Sequence, residues 1–132
     1  MGFKKITVLF FGLLFALLVV PFSSAFADTT LLWSGGVTYN SDLDAYITPV
    51  DSAHASGTIQ VCNTSSFGRW FYIKDHDPDG SDEYLYDTMS YLSPGYCGLY
   101  YIQNLVDGTN GKAEIYLQTS NSGSSFSISQ YY

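Results

Sequence analysis

The sequence predicts an all-β protein: a small antiparallel β-sandwich, or a small barrel, of about seven or eight strands closed by one disulfide. Three observations carry this. Short runs rich in Tyr, Thr, Ile and Val alternate with clusters of Gly, Asn, Asp and Ser. No segment of helical length shows an apolar period of 3.6. The only two cysteines, Cys62 and Cys97, sit inside two of those runs.

The strand signal falls on residues 30–39, 45–50, 57–63, 69–75, 83–92, 96–105, 113–119 and 125–131. Turn-forming clusters separate them at 40–44, 52–56, 64–68, 77–80, 93–95, 107–111 and 120–123. Gly35-Gly36 marks a bend or bulge in the first run. Two runs alternate cleanly. In one, Ala113, Ile115, Leu117 and Thr119 face the core, opposite Glu114, Tyr116 and Gln118. In the other, Phe126 and Ile128 face the core between serines. Two more runs are apolar on both sides. Phe71 and Ile73 oppose Trp70 and Tyr72, and Cys97, Leu99 and Tyr101 oppose Tyr96, Tyr100 and Ile102. Such strands are central and covered on both faces, or they expose an aromatic face for binding.

Residues 1–27 read as a secretory signal peptide. Lys4 and Lys5 precede an uncharged apolar run, Pro21 ends it, and Ala25-Phe26-Ala27 offers an A-x-A cleavage site, with an earlier alternative ending at Ala25. The apolar run, at about 15 residues, is short for a membrane span. Residues 28–132 then form one secreted domain of about 105 residues, enough for a single modest core. Export makes a Cys62–Cys97 disulfide the simplest use of two cysteines. Closing a loop of about 35 residues contributes roughly 3–4 kcal/mol on the chain-entropy estimate.

Charge narrows the partners. The expected domain keeps Arg69, Lys74 and Lys112 against all twelve acids. Its surface therefore repels nucleic-acid phosphates and anionic lipid heads. Nucleic acid is excluded as a partner, as is a membrane once the signal is cleaved.

Six of the twelve acids fall between Asp75 and Asp87. The run Asp75-x-Asp77-x-Asp79-Gly80 resembles the first half of an EF-hand-type calcium loop. That resemblance implies a calcium cofactor held by Asp75, Asp77, Asp79 and Glu83, because a hard cation collects six to eight oxygens. Position 12 of such a loop is Tyr86 here, and Pro78 drives Asp77 away from helical geometry. Asp77-Pro78-Asp79-Gly80 is also a good β-turn in its own right.

All twelve Tyr and both Trp lie beyond residue 27. Flat rings with polar tips suit half-wet recognition surfaces. Trp33, Trp70, Tyr72, Tyr100 and Tyr116 are the candidate ligand-binding residues. No catalytic residue is assigned, since nucleophile, dinucleotide, phosphate-loop and zinc motifs are all absent from the sequence. The expected function is a secreted, non-catalytic extracellular binding module for a polysaccharide or a protein. Two alternatives differ in their geometry. A hydrolase inhibitor would present a rigid loop at 94–96 beside Cys97. A small secreted hydrolase would need a cleft joining His54 or His76 to Glu114 and a serine. Asn63-Thr64-Ser65 matches the N-glycosylation triplet.

Overall fold

A computed structural model describes residues 28–51 and 53–132. The expected signal peptide, residues 1–27, lies outside the described residues. The elements in chain order are β1 (Thr29–Gly36), β2 (Thr38–Asn40), β3 (Ala45–Ile47), β4 (His54–Ala55), β5 (Thr58–Asn63) and β6 (Arg69–Asp75). They continue with β7 (Glu83–Tyr84), β8 (Ser90–Leu92), β9 (Cys97–Tyr101), a 3₁₀ turn at Gln103–Leu105, β10 (Ala113–Thr119) and β11 (Ser125–Tyr131).

These strands form two antiparallel sheets. The four-stranded sheet has the order β1-β11-β5-β9. The seven-stranded sheet runs β2-β3-β10-β6-β7, with β4 added to β10 and β8 added to β6. The sheets pack face to face, so the fold is a sandwich rather than a closed barrel. Ile59, Val61, Phe126 and Ile128 from the smaller sheet share one core with Phe71, Ile73, Ile115 and Leu117 from the larger. The Phe71 and Phe126 rings meet edge to face at 5.2 Å across the layer. Period-two alternation produces this core: in β5 only Ile59, Val61 and Asn63 are buried, and the residues between them are half-exposed.

The first predicted run splits. β1 pairs with β11 and β2 pairs with β3, so the chain leaves one sheet for the other between Gly36 and Thr38. The register slips between Leu31 and Trp33, and Leu32 and Trp33 both pack against the core. The bulge therefore falls there, while Gly35-Gly36 ends the strand. The predicted run 83–92 also splits. β7 pairs with Lys74–Asp75 and β8 with residues 69–71, at opposite ends of the same β6.

Cys62 and Cys97 stand directly opposite each other on β5 and β9 and form the disulfide. The bond lies on the outer face of the smaller sheet, where Cys97 is exposed. Leu99 and Tyr101 are exposed on that same face, so β9 is an edge strand covered on one side only. Among the described residues, no helix is long and apolar enough to cross a membrane.

Candidate functional site

β6 carries the densest surface chemistry. Its inward side, Phe71 and Ile73, is core. Its outward side is Trp70, Tyr72 and Lys74, a consequence of strict alternation along a seven-residue strand. Trp70 is 53% exposed and its register partner Tyr91, on β8, is 48% exposed. Their ring centroids lie 5.0 Å apart at an interplanar angle of 49°. Gly68 makes this pair possible. A Cβ at that position would overlap the Tyr91 hydroxyl and ring, so the ring packs onto bare backbone.

Toward the other end of β6, Tyr72 meets the exposed Tyr84 edge to face at 5.1 Å. The Lys74 ammonium stands 4.5 Å from the Tyr84 ring centroid and 5.6 Å from that of Tyr116. It also donates to Gln118 Oε1 at 3.1 Å. Lys74 is 4% exposed, and these contacts replace its water through cation–π attraction and a hydrogen bond. A depression of about 250 Å³ opens beside Tyr72, lined also by Leu43, Met89, Gln118 and Ser120.

The five candidate aromatics do not share one face. Trp70 and Tyr72 lie together on the outer side of the larger sheet. Tyr116 is on that side too but is fully buried. Trp33 and Tyr100 point to the interior, where Tyr100 meets Phe71 edge to face at 6.2 Å. The exposed partners Tyr84 and Tyr91 were not singled out from sequence. Their signal was the run 83–92, whose tyrosines could be paired with β6 only once both short strands were placed.

The acidic stretch is organised by Asp82. Its Oδ1 accepts from the Asp77 backbone N–H and faces His76 Nδ1, each at 3.1 Å, and its Oδ2 accepts from the Tyr116 hydroxyl at 2.6 Å. Partial burial works against the Asp82 charge. The bonds from Tyr116, Asp77 and His76 outweigh it and hold the carboxyl below its ordinary value. The Tyr116 phenol is pushed up, first by burial and then by the Asp82 carboxylate that accepts its proton. Asp77 Oδ1 accepts from the Asp79 N–H at 2.9 Å, and the Gly80 N–H reaches the Asp77 carbonyl at 3.3 Å. The turn thus closes on its own hydrogen bonds.

Asp75 is set apart from Asp77 and Asp79 by its burial, although Glu83 is its register partner on β7. It is fully buried on the inward side of β6, and its Oδ1 accepts the Glu114 N–H at 2.7 Å. Burial pushes its carboxyl up to about 6. The Glu114 hydrogen bond opposes that shift, and the neighbouring charges of Asp107, Glu114 and Glu83 add to it. The set of three carboxylates that converges within 4.8 Å among the described residues is Asp75, Asp107 and Glu114. Asp77, Asp79 and Glu83 are not in it. Asp107 was missed because it lies in a turn signal 32 positions from Asp75 and only folding joins them.

His54 and Glu114 do meet, at 3.7 Å, on paired strands β4 and β10. The other ring nitrogen of His54 faces the Asp51 carbonyl at 3.1 Å. Both nitrogens are thereby directed at acceptors, and among the described residues no hydrogen bond from His54 to a serine hydroxyl, which nucleophile activation would require, is formed. The loop at 93–96 is braced differently. Buried Asn63 donates from its side chain to the carbonyls of Phe67 and Leu92, at 2.8 and 3.0 Å. Its backbone bonds Gly95 and Tyr96, and Gly95 takes the left-handed φ of 75° that the turn needs. Tyr96 is left 68% exposed beside Cys97. Asn63 is fully buried, so the folded chain does not offer it as a glycan acceptor.

Fold and surface together define a disulfide-closed all-β sandwich with an aromatic outer face and an acidic cluster that runs from buried Asp75 to exposed Asp107. The chain belongs to the family described as the YndA coiled coil domain, which matches residues 34–130. A coiled coil is built from α-helices with heptad seams, whereas the described part of that span is β-sandwich without an α-helix. Nothing among the curated proteins or the solved structures matches the chain significantly.

Proposed function

We propose that the protein is an exported, non-catalytic binding module that stacks neutral polysaccharide on the outer face of β6 and β8. The observation that carries this reading is the solvent-facing Trp70–Tyr91 pair, continued along the same face by Tyr72 and Tyr84. Aromatic rings offer flat apolar faces, and their polar tips hydrogen-bond at the rim. The adjoining depression beside Tyr72 adds Gln118 and Ser120 as polar groups. Three basic residues against twelve acids in the expected domain disfavour anionic polymers and leave neutral glycans preferred. The signal-like N-terminus and the disulfide support an extracellular setting. Calorimetric titration of soluble oligosaccharides tests the reading. Saturable heat that disappears in the Trp70→Ala/Tyr91→Ala variant supports it, and no heat with wild type contradicts it.

A second reading, inhibition of a secreted hydrolase, is favoured by one feature. Tyr96 protrudes from a turn fixed by Asn63 and the disulfide, and pre-organised loops bind with a low entropic cost. Inhibition of a hydrolase that survives Trp70→Ala and is lost in Tyr96→Ala would reverse the ranking.

A further inference from the structure

The motif suggesting calcium and the place where carboxylates converge are different. Asp75 belongs to both, but its side chain turns inward, away from the Asp77–Gly80 turn. Its Oδ1 is occupied by the Glu114 N–H. Its Oδ2 is buried and has no hydrogen-bond partner. A fully buried carboxylate oxygen without a donor is costly and rare in a folded protein. No Lys or Arg forms an ion pair with Asp75 or Asp107 among the described residues.

A small cation that reaches the edge of the sandwich would satisfy this oxygen. Two oxygens bound to one ion at roughly 2.4 Å stand no more than about 4.8 Å apart. Asp75, Asp107 and Glu114 each offer an oxygen inside that limit. Burial is graded across the set, with Asp75 buried, Glu114 half-buried and Asp107 exposed. Such a gradient gives an ion an entry path through the 107–111 turn and leaves room for water on its outer side. We propose that Asp75, Asp107 and Glu114 bind a calcium-sized divalent cation that ties the 107–111 turn to the end of β6 and β10. The oxygen-only ligand set selects hard cations over zinc or copper. Calcium is preferred over magnesium, because ligands from three separate segments suit its flexible coordination. This inference is independent of the glycan-binding reading.

The test is calorimetric titration of calcium chloride into the disulfide-bonded protein stripped with chelator, paired with thermal melts. A single saturable site and a rise in Tm with calcium are expected, with a smaller rise in magnesium. Asp107→Asn, on the exposed turn, should weaken calcium at least tenfold without changing the metal-free Tm. Asp75→Asn should raise the metal-free Tm, by removing an unpaired buried charge, and abolish the calcium increment. A purely structural role for Asp75 would not produce those opposite effects. Asp77→Asn and Asp79→Asn should leave affinity unchanged. No heat and no Tm shift at millimolar calcium would overturn the proposal. So would loss of binding in the Asp77 or Asp79 variants with retention in Asp107→Asn.

Discussion

The Tyr116 hydroxyl donates to Asp82 Oδ2 at 2.6 Å and ties the acidic turn to the middle of β10. Asp82 holds three donors at once, so its charge is worth keeping. Its carboxyl is held below the usual 3.8, and a depressed acid stabilises the fold above its unfolded value. That stability is lost as pH falls through the folded value. Asp82→Asn should therefore cost roughly 1–3 kcal/mol at pH 7. The gap to wild type should close as pH drops below 3.8. Urea denaturation from pH 7 downward into the acid range measures both. A gap that does not narrow anywhere below pH 3.8 contradicts the assignment.

Asn63 clamps two loops from inside the core. Asn63→Ala leaves the Phe67 and Leu92 carbonyls and the Ser65 N–H without their side-chain partner. A loss of about 2–4 kcal/mol is expected, since each buried polar group left unpaired costs about 1–3 kcal/mol. Chemical denaturation reads it as a lower midpoint at unchanged slope. Asn63→Asp should be as damaging, because a carboxylate cannot donate.

The disulfide is on the outside. Cys97 is exposed, so reductant should reach it in the native state. Reduction should lower Tm by roughly 10–25 °C, following a loss of about 3–4 kcal/mol in a domain of this size. Calorimetry with and without reductant checks the shift. The reduced protein should keep the far-UV signature of a β-sheet at 20 °C or below.

Adding a methyl group at Gly68 tests how the aromatic pair is built. The Cβ would occupy the place of the Tyr91 hydroxyl, so Gly68→Ala should push that ring off Trp70. Tyr91 is half-exposed and can swing into solvent. Stability should change by less than about 1 kcal/mol, while glycan retention drops several-fold. The measurements are a thermal melt and a pull-down on the same preparation.

Local pattern was enough wherever a strand pairs along its whole length. The runs 69–75, 113–119 and 125–131 appear as β6, β10 and β11 with the same ends. Asp107 could not be read that way: Glu114 lies on the next strand, but Asp75 is 32 positions away on β6 and only folding brings the three together. The run 83–92 failed for a related reason. Tyr84 and Tyr91 belong to strands that bind opposite ends of β6, and the residues between those strands form no regular element, although the Leu85 N–H still bonds the Ile73 carbonyl of β6. His54–Ala55 is only two residues long and lies in a turn-rich stretch, so periodicity had nothing to count. The candidate aromatics were chosen by residue type, yet exposure is set by which side of the sheet each faces. Trp33 turns inward at a bulge, and Tyr116 is covered by Lys74 and Asp82.

Neighbouring positions on β6 separate the proposed binding from folding. Trp70 is 53% exposed and Phe71 is fully buried. Phe71→Ala should destabilise by about 3–5 kcal/mol, so it reports on the core alone. Retention of the protein and of Trp70→Ala on insoluble neutral polysaccharide, with Tm recorded for each, is the most direct measurement. Wild type should be retained, and Trp70→Ala should lose at least tenfold of that retention at a nearly unchanged Tm. Equal retention of the two proteins, or none by wild type on any neutral matrix, would contradict the account.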